Sequence, residues 1–497
     1  MTQKHQNDIS NLWTNSAEWY RTTCRIAAYS TSLQVGNEVS RDGLTELLRY
    51  LDHEDILVAY AAKEDIWKLV VSGKVATYHD VIYSILMTLP TAWRNGYRFQ
   101  LLRHLIKIKV HKESVSTKEN SLENHSLDSW DHSHDFPYPK SLFQNLVQIE
   151  AMVRAVFSPA EDMSESILHS VQYECLLFIN DCLKSLQYTN ISGPCQVKLI
   201  GLMTMLLNDV FVKMAFCSQP TYVSCVILGL LGSFLKLGDL WDTQTKVYQG
   251  KSVRERYQKW LGQCLTWLKE SSCAATALQL HGERKYISTA SCEAFISNSN
   301  VYPFLQKWLL FLSRMGTAFI KTTLTQLECS GCKFQAANPE FDSCLQRQLP
   351  NRQQLFKVLA EQDDVMIEFL NNVARMADGL DSIRDLRAQN YSQLMAHMAD
   401  EYNQDLLFAD LVDTLGWDHR VLLDLLISNE TQMLEYLMRY LRRLSTHWDM
   451  SRRKLQTVDR LNGVVSILIR LRLEIDRLVA AQLFPYGARP LTRRLIS

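Results

Sequence analysis

Residues 426–444 read LISNETQMLEYLMRYLRRL. Leucines close one helix, the polar ISNET interrupts it, and a second amphipathic helix follows. The arrangement recurs along the chain. Leu51 is followed by DHED and an apolar helix containing Tyr60, and Leu359 by AEQDD and a helix containing Phe369. In each copy an acidic residue (Glu54, Asp363 or Glu430) stands six positions before the aromatic Tyr60, Phe369 or Tyr436. Asp, Glu, Ser and Asn at a helix start satisfy unpaired backbone N–H groups and complement the helix dipole. The aromatic, one and a half turns in, is placed to pack back on the preceding helix. A pair of amphipathic helices cannot bury its apolar face alone, and stacked neighbours do it. With irregular intervals between the copies, the pattern predicts an all-α chain: a degenerate armadillo/HEAT-like α-solenoid of stacked helix pairs.

The remaining sequence agrees with this class. The chain has 497 residues but only 18 glycines and 11 prolines, too few for the frequent turns of a β-rich protein. Trp260, Leu261, Cys264, Leu265 and Leu268 form one apolar stripe at helical spacing. Phe304, Leu305, Trp308, Leu309, Phe311, Leu312 and Met315 form a wider one. The apolar run Leu199–Cys217 is interrupted by Asn208, Asp209 and Lys213, and the run Val223–Leu237 is short and contains Lys236. Both read as buried helices and not as membrane spans. The opening MTQKHQNDISNLW has no apolar core, so no signal peptide is expected. The twelve scattered cysteines are then expected as reduced thiols.

Three breaks set the expected organisation. Residues 111–140 are polar and end in FPYP, which predicts a disordered linker after an N-terminal helical block, 1–110. Central helical repeats follow over 141–350, ending in a cysteine-containing loop near 329–350. A weaker break is expected at MADGLDSIRDLRAQN, 376–390, within C-terminal repeats spanning 351–497.

The formal net charge is zero, so bulk charge predicts no attraction to nucleic acid or to acidic membranes. Locally the charge is polarised. From Ala360 to Glu435 sixteen acidic residues face four basic ones, and from Tyr436 to Ser497 thirteen basic residues face four acidic ones. Either the two regions neutralise each other, or the second presents a basic face to an acidic protein partner. No recognition motif accompanies the arginines, which argues against direct nucleic-acid binding. The candidate docking residues are Arg439, Arg442, Arg443, Arg470, Arg472 and Arg477. Tyr436, Tyr440, Phe484 and Tyr486 are expected to be structural. The last helix repeats Leu461, Val464, Leu468, Leu471, Ile475 and Leu478 at spacings of three and four, and is expected to pack on its predecessor and close the array. LFPYGARPL then ends it at Pro485.

ISNETQMLEYLMRYLRRL and VDRLNGVVSILIRLRLEIDRLVAAQLFPYGARPL together resemble the C-terminal stretches of the Lines family, over roughly Leu422–Leu491. The family tends to follow FPY with an Asn-Pro-type turn, where Gly487-Ala488-Arg489-Pro490 stands here. The resemblance implies a non-enzymatic regulator in Wnt/Wingless-dependent patterning. It would act on transcriptional output through protein partners in the nucleus and cytoplasm. It brings no catalytic residue and no cofactor. The other reading is a nuclear-transport or ubiquitin-system adaptor on similar repeats. A transport adaptor predicts regular asparagine and tryptophan ladders, which the eleven tryptophans do not show.

Sites for chemistry are thin. Cys329, Cys332 and Cys344 offer three thiolates where a structural zinc needs four ligands, so they are expected to be loop cysteines. His125, His132 and His134, interleaved with aspartates, fall in the polar linker and carry the same expectation. No phosphate-binding glycine loop, nucleophile elbow or HExxH is present.

Overall fold

The computed structural model describes residues 41–71, 78–88, 94–107, 145–157, 165–186, 193–211, 221–244, 250–270, 302–328, 351–386, 400–428, 430–485 and 487–496. Among them every regular element is helical. The expected linker at 111–140 and the loop holding Cys329, Cys332 and Cys344 lie outside the described residues. The chain divides into two compact units, Met1–Val210 with Leu240–Arg256, and Phe211–Asp239 with Tyr257–Ser497.

The first unit contains α1 (Arg41–Arg49), α2 (Ile56–Val71), α3 (Tyr78–Met87), α4 (Tyr97–Lys107), α5 (Leu146–Phe157), α6 (Glu165–Leu186) and α7 (Gly193–Met205). Chain neighbours α1 and α2, α3 and α4, and α5 and α6 pack on each other, and helices also meet the one two positions on. Thus α2 meets α4 and α4 meets α6, while α1 meets α3, α3 meets α5 and α5 meets α7. The cross-helix contacts run in one sense: Tyr60 with Tyr97, Lys63 with Gln100 and Trp67 with His104, then Gln100 with Glu174 and Arg103 with Asp181. Helices α2, α4 and α6 are therefore parallel, and this layer backs a second one made of α1, α3, α5 and α7. That is a stack of helix pairs, and it follows from giving every amphipathic helix apolar cover on more than one side.

The second unit repeats the scheme. It takes residues from α8 (Thr221–Gln244) and α9 (Gly250–Glu270), then α10 (Tyr302–Glu328), α11 (Arg352–Leu359), α12 (Asp363–Leu386), α13 (Gln404–Thr414), α14 (His419–Ile427), α15 (Met433–Thr446), α16 (Trp448–Thr457), α17 (Leu461–Ala480) and α18 (Arg489–Ile496). α10, α12 and α15 form one layer, and α11, α13 and α16 the other. The stripe from Phe304 to Met315 is buried throughout, as are Trp260, Leu261 and Cys264.

Several sequence expectations change here. Tyr60 does not pack back on the preceding helix. It is 46% exposed, its ring set edge-on to Tyr97 of α4. Phe369 and Tyr436 are buried, as the pattern requires. The expected break at residue 376 is absent, because α12 continues to Leu386. Met376, Leu380 and Ile383 keep an apolar face buried through that stretch. Gly379, which weakens the sequence signal, sits where α12 crosses α10 so closely that a Cβ would lie 2.4 Å from Ile320 Cγ2. After α17, residues 489–496 form a further helix that the sequence pattern did not announce.

Gly379 gives a direct test. Alanine gains roughly 1 kcal/mol of helix propensity but must displace a buried, branched isoleucine. Gly379→Val adds more bulk with less propensity gain, and is expected to cost about 2 kcal/mol or more. Chemical denaturation followed by circular dichroism reads this out. A Val variant as stable as the parent would mean α10 and α12 are not in this register.

Candidate partner-docking surface

The six candidate arginines stand on two helices. Arg439, Arg442 and Arg443 are on α15, and Arg470, Arg472 and Arg477 on α17. On α15 the buried arc is Met433, Tyr436, Leu437, Tyr440 and Leu441. Phe408 of α13 stacks on Tyr440 with ring centroids 4.1 Å apart, so both tyrosines are core residues, as expected. The remaining arc of α15 faces α12 and solvent.

Across the α12–α15 seam, charges interlock at a sequence separation near 61 residues. Arg375 donates to Glu435 at 2.7 Å, Arg439 bridges Glu435 at 3.0 Å and Asp378 at 3.1 Å, and Arg443 reaches Asp381 at 3.0 Å. Burial pushes the Glu435 carboxyl up, but the hydrogen bonds and charge of Arg375 and Arg439 outweigh it and hold it below the ordinary glutamate value. Part of the polarised charge is thus neutralised inside the fold: the acidic α12 and the basic α15 clasp each other. Arg439 and Arg443 are committed to that clasp. Arg442 points away from it, is exposed, and has no side-chain partner among the described residues.

α17 is held differently. Val464, Ile467, Leu468, Leu471 and Ile475 are buried, and α17 packs on α14, α16 and α18. Its start is fixed by a tight junction with the turn after α13. Gly416 and Trp417 there adopt positive φ, 68° and 56°. Backbone bonds from Gly416 to Asp413 and from Trp417 to Val412 close that helix end. The Trp417 ring lies where a Cβ on Gly463 would meet it at 2.5 Å. Arg460 covers the same ring at 5.5 Å and pairs with Asp413 at 2.9 Å. That pairing holds the Asp413 carboxyl below its ordinary range.

Arg470 and Arg477 of α17 are exposed, and Arg472 is half-buried, with its Nε closed to solvent. Arg472 is 3.5 Å from Asp476 and Arg477 pairs with Glu474, both within their own helix. Arg470 has no side-chain partner among the described residues. Exposed pairs of this local kind contribute only about 0.3–0.5 kcal/mol each. The structure therefore sorts the six residues into two that join helices, two in weak local pairs, and two with no side-chain partner among the described residues.

Among the described residues no group of three or more His, Cys, Asp or Glu is placed to hold a metal. Nor is any helix there long and apolar enough to cross a membrane. Cys175 and Cys264 are fully buried, and burial pushes their thiols well above the ordinary value, which suits packing and not nucleophilic chemistry.

The family-model matches fall on this same region. Residues 289–452 match the Lines N-terminus and residues 464–497 the Lines C-terminus. The second match takes in α17 from Val464 onward and α18, and the first ends within α16. The chain is 33% identical to "Protein lines" of Drosophila melanogaster over 147 residues, 29% of this chain and 16% of that protein. It is 36% identical to "Protein Lines homolog 1" of Homo sapiens over 101 residues, 19% of this chain and 13% of that protein. The matched segments thus span well under a fifth of either relative. Two Lines matches in chain order, with these two relatives, make the C-terminal part of this chain a Lines-family region.

Proposed function

We propose that the chain is a non-enzymatic scaffold of the armadillo/HEAT-like type that binds protein partners through acidic segments. As the family resemblance implies, it would act in Wnt/Wingless-type developmental signalling and its transcriptional output, in nucleus and cytoplasm. The observation that carries the docking reading is the outward arginine face of α17. It lies within the Lines C-terminus match and is held to the fold by apolar packing on its other side. Among the described residues these arginines make no bond to another helix, so an acidic ligand can engage them at small cost. The adaptor alternative gains no support from the tryptophans: Trp260 and Trp308 are buried in the core and form no surface ladder.

The test is partner capture from cells, read by mass spectrometry. The intact chain is compared with a variant carrying Arg470→Glu, Arg472→Glu and Arg477→Glu, after circular dichroism shows equal helicity. The expected result is a partner set that falls at least tenfold in the variant. If the same partners remain at the same level, α17 is a structural cap and the docking reading is wrong.

A further inference from the structure

α17 carries more than arginines on its outer side. Ile469 is 54% exposed and Leu473, one turn on, is 62% exposed. At 100° per residue these two lie on a single line, opposite Val464, Leu468, Leu471 and Ile475. Arg470 and Arg477 run along one edge of that line, seven residues or about 10 Å apart, and Arg472 lies along the other edge. Single exposed apolar residues are ordinary on a surface. Here two branched aliphatics form an i, i+4 ridge with cations on both sides. A ridge of that kind fits the groove of another helix.

We propose that the outer face of α17 is a seat for one amphipathic, acidic α-helix of a partner protein. The apolar stripe of that helix covers Ile469 and Leu473, and its flanking carboxylates reach Arg470, Arg472 and Arg477. The charge complementarity is local. It does not draw on Arg439 or Arg443, which are held by Asp378, Glu435 and Asp381. Asp476 and Glu474 release Arg472 and Arg477 at little cost, because those pairs are exposed and within one helix. The inference deepens the acidic-docking reading and rests on it. It adds the two apolar anchors, whose removal from water under the partner helix contributes to the affinity.

The probe is a fluorescein-labelled helical peptide with leucines at i, i+4, i+7 and i+11 and glutamates on both flanks. A scrambled isomer of the same composition is the control, and both are titrated by fluorescence anisotropy against the full chain. The patterned peptide is expected to bind at least tenfold tighter than the isomer. Ile469→Ser with Leu473→Ser is expected to remove that advantage without changing circular dichroism, since both side chains already face solvent. If the two peptides bind equally, and both are lost with the arginine-to-glutamate variant, acidic docking stands and the helical seat is wrong. If neither peptide binds below about 100 µM, a threshold near 5.5 kcal/mol, the seat is likewise overturned. So it is if Leu473→Asp abolishes self-association of the chain or binding to anionic lipid vesicles, because the face then belongs to that occupant.

Discussion

Replacing Arg98 with methionine is expected to destabilise the first unit by about 3–5 kcal/mol, the usual cost of breaking a buried ion pair from one side. Arg98 is 3% exposed. Its Nε and Nη2 take both oxygens of Asp52, at 3.0 Å and 2.5 Å. Its Nη1 donates to the carbonyls of Thr88 at 2.5 Å and Ile85 at 3.3 Å, and Nη2 reaches that of Leu48 at 3.4 Å. Those carbonyls end α3 and α1, where helices leave acceptors without intrahelical partners and the dipole is negative. One guanidinium therefore caps two helices at once, and Asp52 neutralises it. Asn95, three residues earlier, joins the same junction by donating to Leu51 O at 2.8 Å. Methionine keeps much of the stem's packing but leaves a carboxylate and three carbonyls unanswered. Hydrogen exchange is the right readout, because a chain of two units need not unfold in one step. Amides of α1, α3 and α4 should lose protection while those of α12 and α15 keep theirs. Adding Asp52→Leu should recover a large part of the loss. A single variant within 1 kcal/mol of the parent would show that this junction is wet and the ion pair is not buried.

Very different amounts of this architecture can be read along the chain. The stripe from Phe304 to Met315 and the middle of the one from Leu461 to Leu478 were legible, because a helix covered on one side must repeat its apolar residues at 3.6, whereas Leu461 and Leu478 at its ends are only half-buried. The stripe from Phe304 to Met315, and Val464, Leu468, Leu471 and Ile475, are buried where the periodicity puts them. The course of α12 through residues 376–386 was not. A glycine and several acids weaken the local signal there, and what compensates is a close approach to Ile320 on a helix more than fifty residues away. Tyr60 was misread for a related reason. Its spacing from Glu54 matches that of Phe369 from Asp363, but which side of a helix is covered depends on neighbours that spacing does not reveal. The polarised charge was plain in the sequence. How it divides was not, since pairing Arg439 with Asp378 requires the parallel register of α12 and α15. Nor did the arginine pattern point to Ile469 and Leu473. They fall outside the regular apolar stripe, and two apolar residues one turn apart make no periodic pattern of their own.

The second large effect is expected at Glu368. Arg314 Nε donates to it at 2.7 Å and Lys236 Nζ at 2.9 Å, so one carboxylate on α12 answers cations from α10 and α8. Burial pushes the Glu368 carboxyl up, and the hydrogen bond and charge of Arg314, then those of Lys236, pull it below its ordinary value. A carboxyl depressed by folding contributes stability that is present above the unfolded value of about 4.3 and is lost as pH falls through the folded value. Lys236 behaves in the opposite sense. Burial and Arg314 lower it more than Glu368 raises it, so the ammonium is only partly compensated even in the intact protein. Glu368→Gln preserves shape but removes the charge, and its NH2 group can only repel one of the two donors. The expected cost at pH 7 is about 3 kcal/mol, because two cations are left together in a site largely closed to water. Lys236→Met should cost far less, within about 1 kcal/mol, since Arg314 still answers the carboxylate and Lys236 is partly exposed. The discriminating measurement is urea denaturation of the parent and Glu368→Gln at pH 7 and pH 3. The gap should narrow markedly at the lower pH, where the parent's own carboxyl begins to bind a proton. A gap that stays constant would mean that glutamine is disfavoured by shape and not by charge, and the ion triad would lose its place in holding α8, α10 and α12 together.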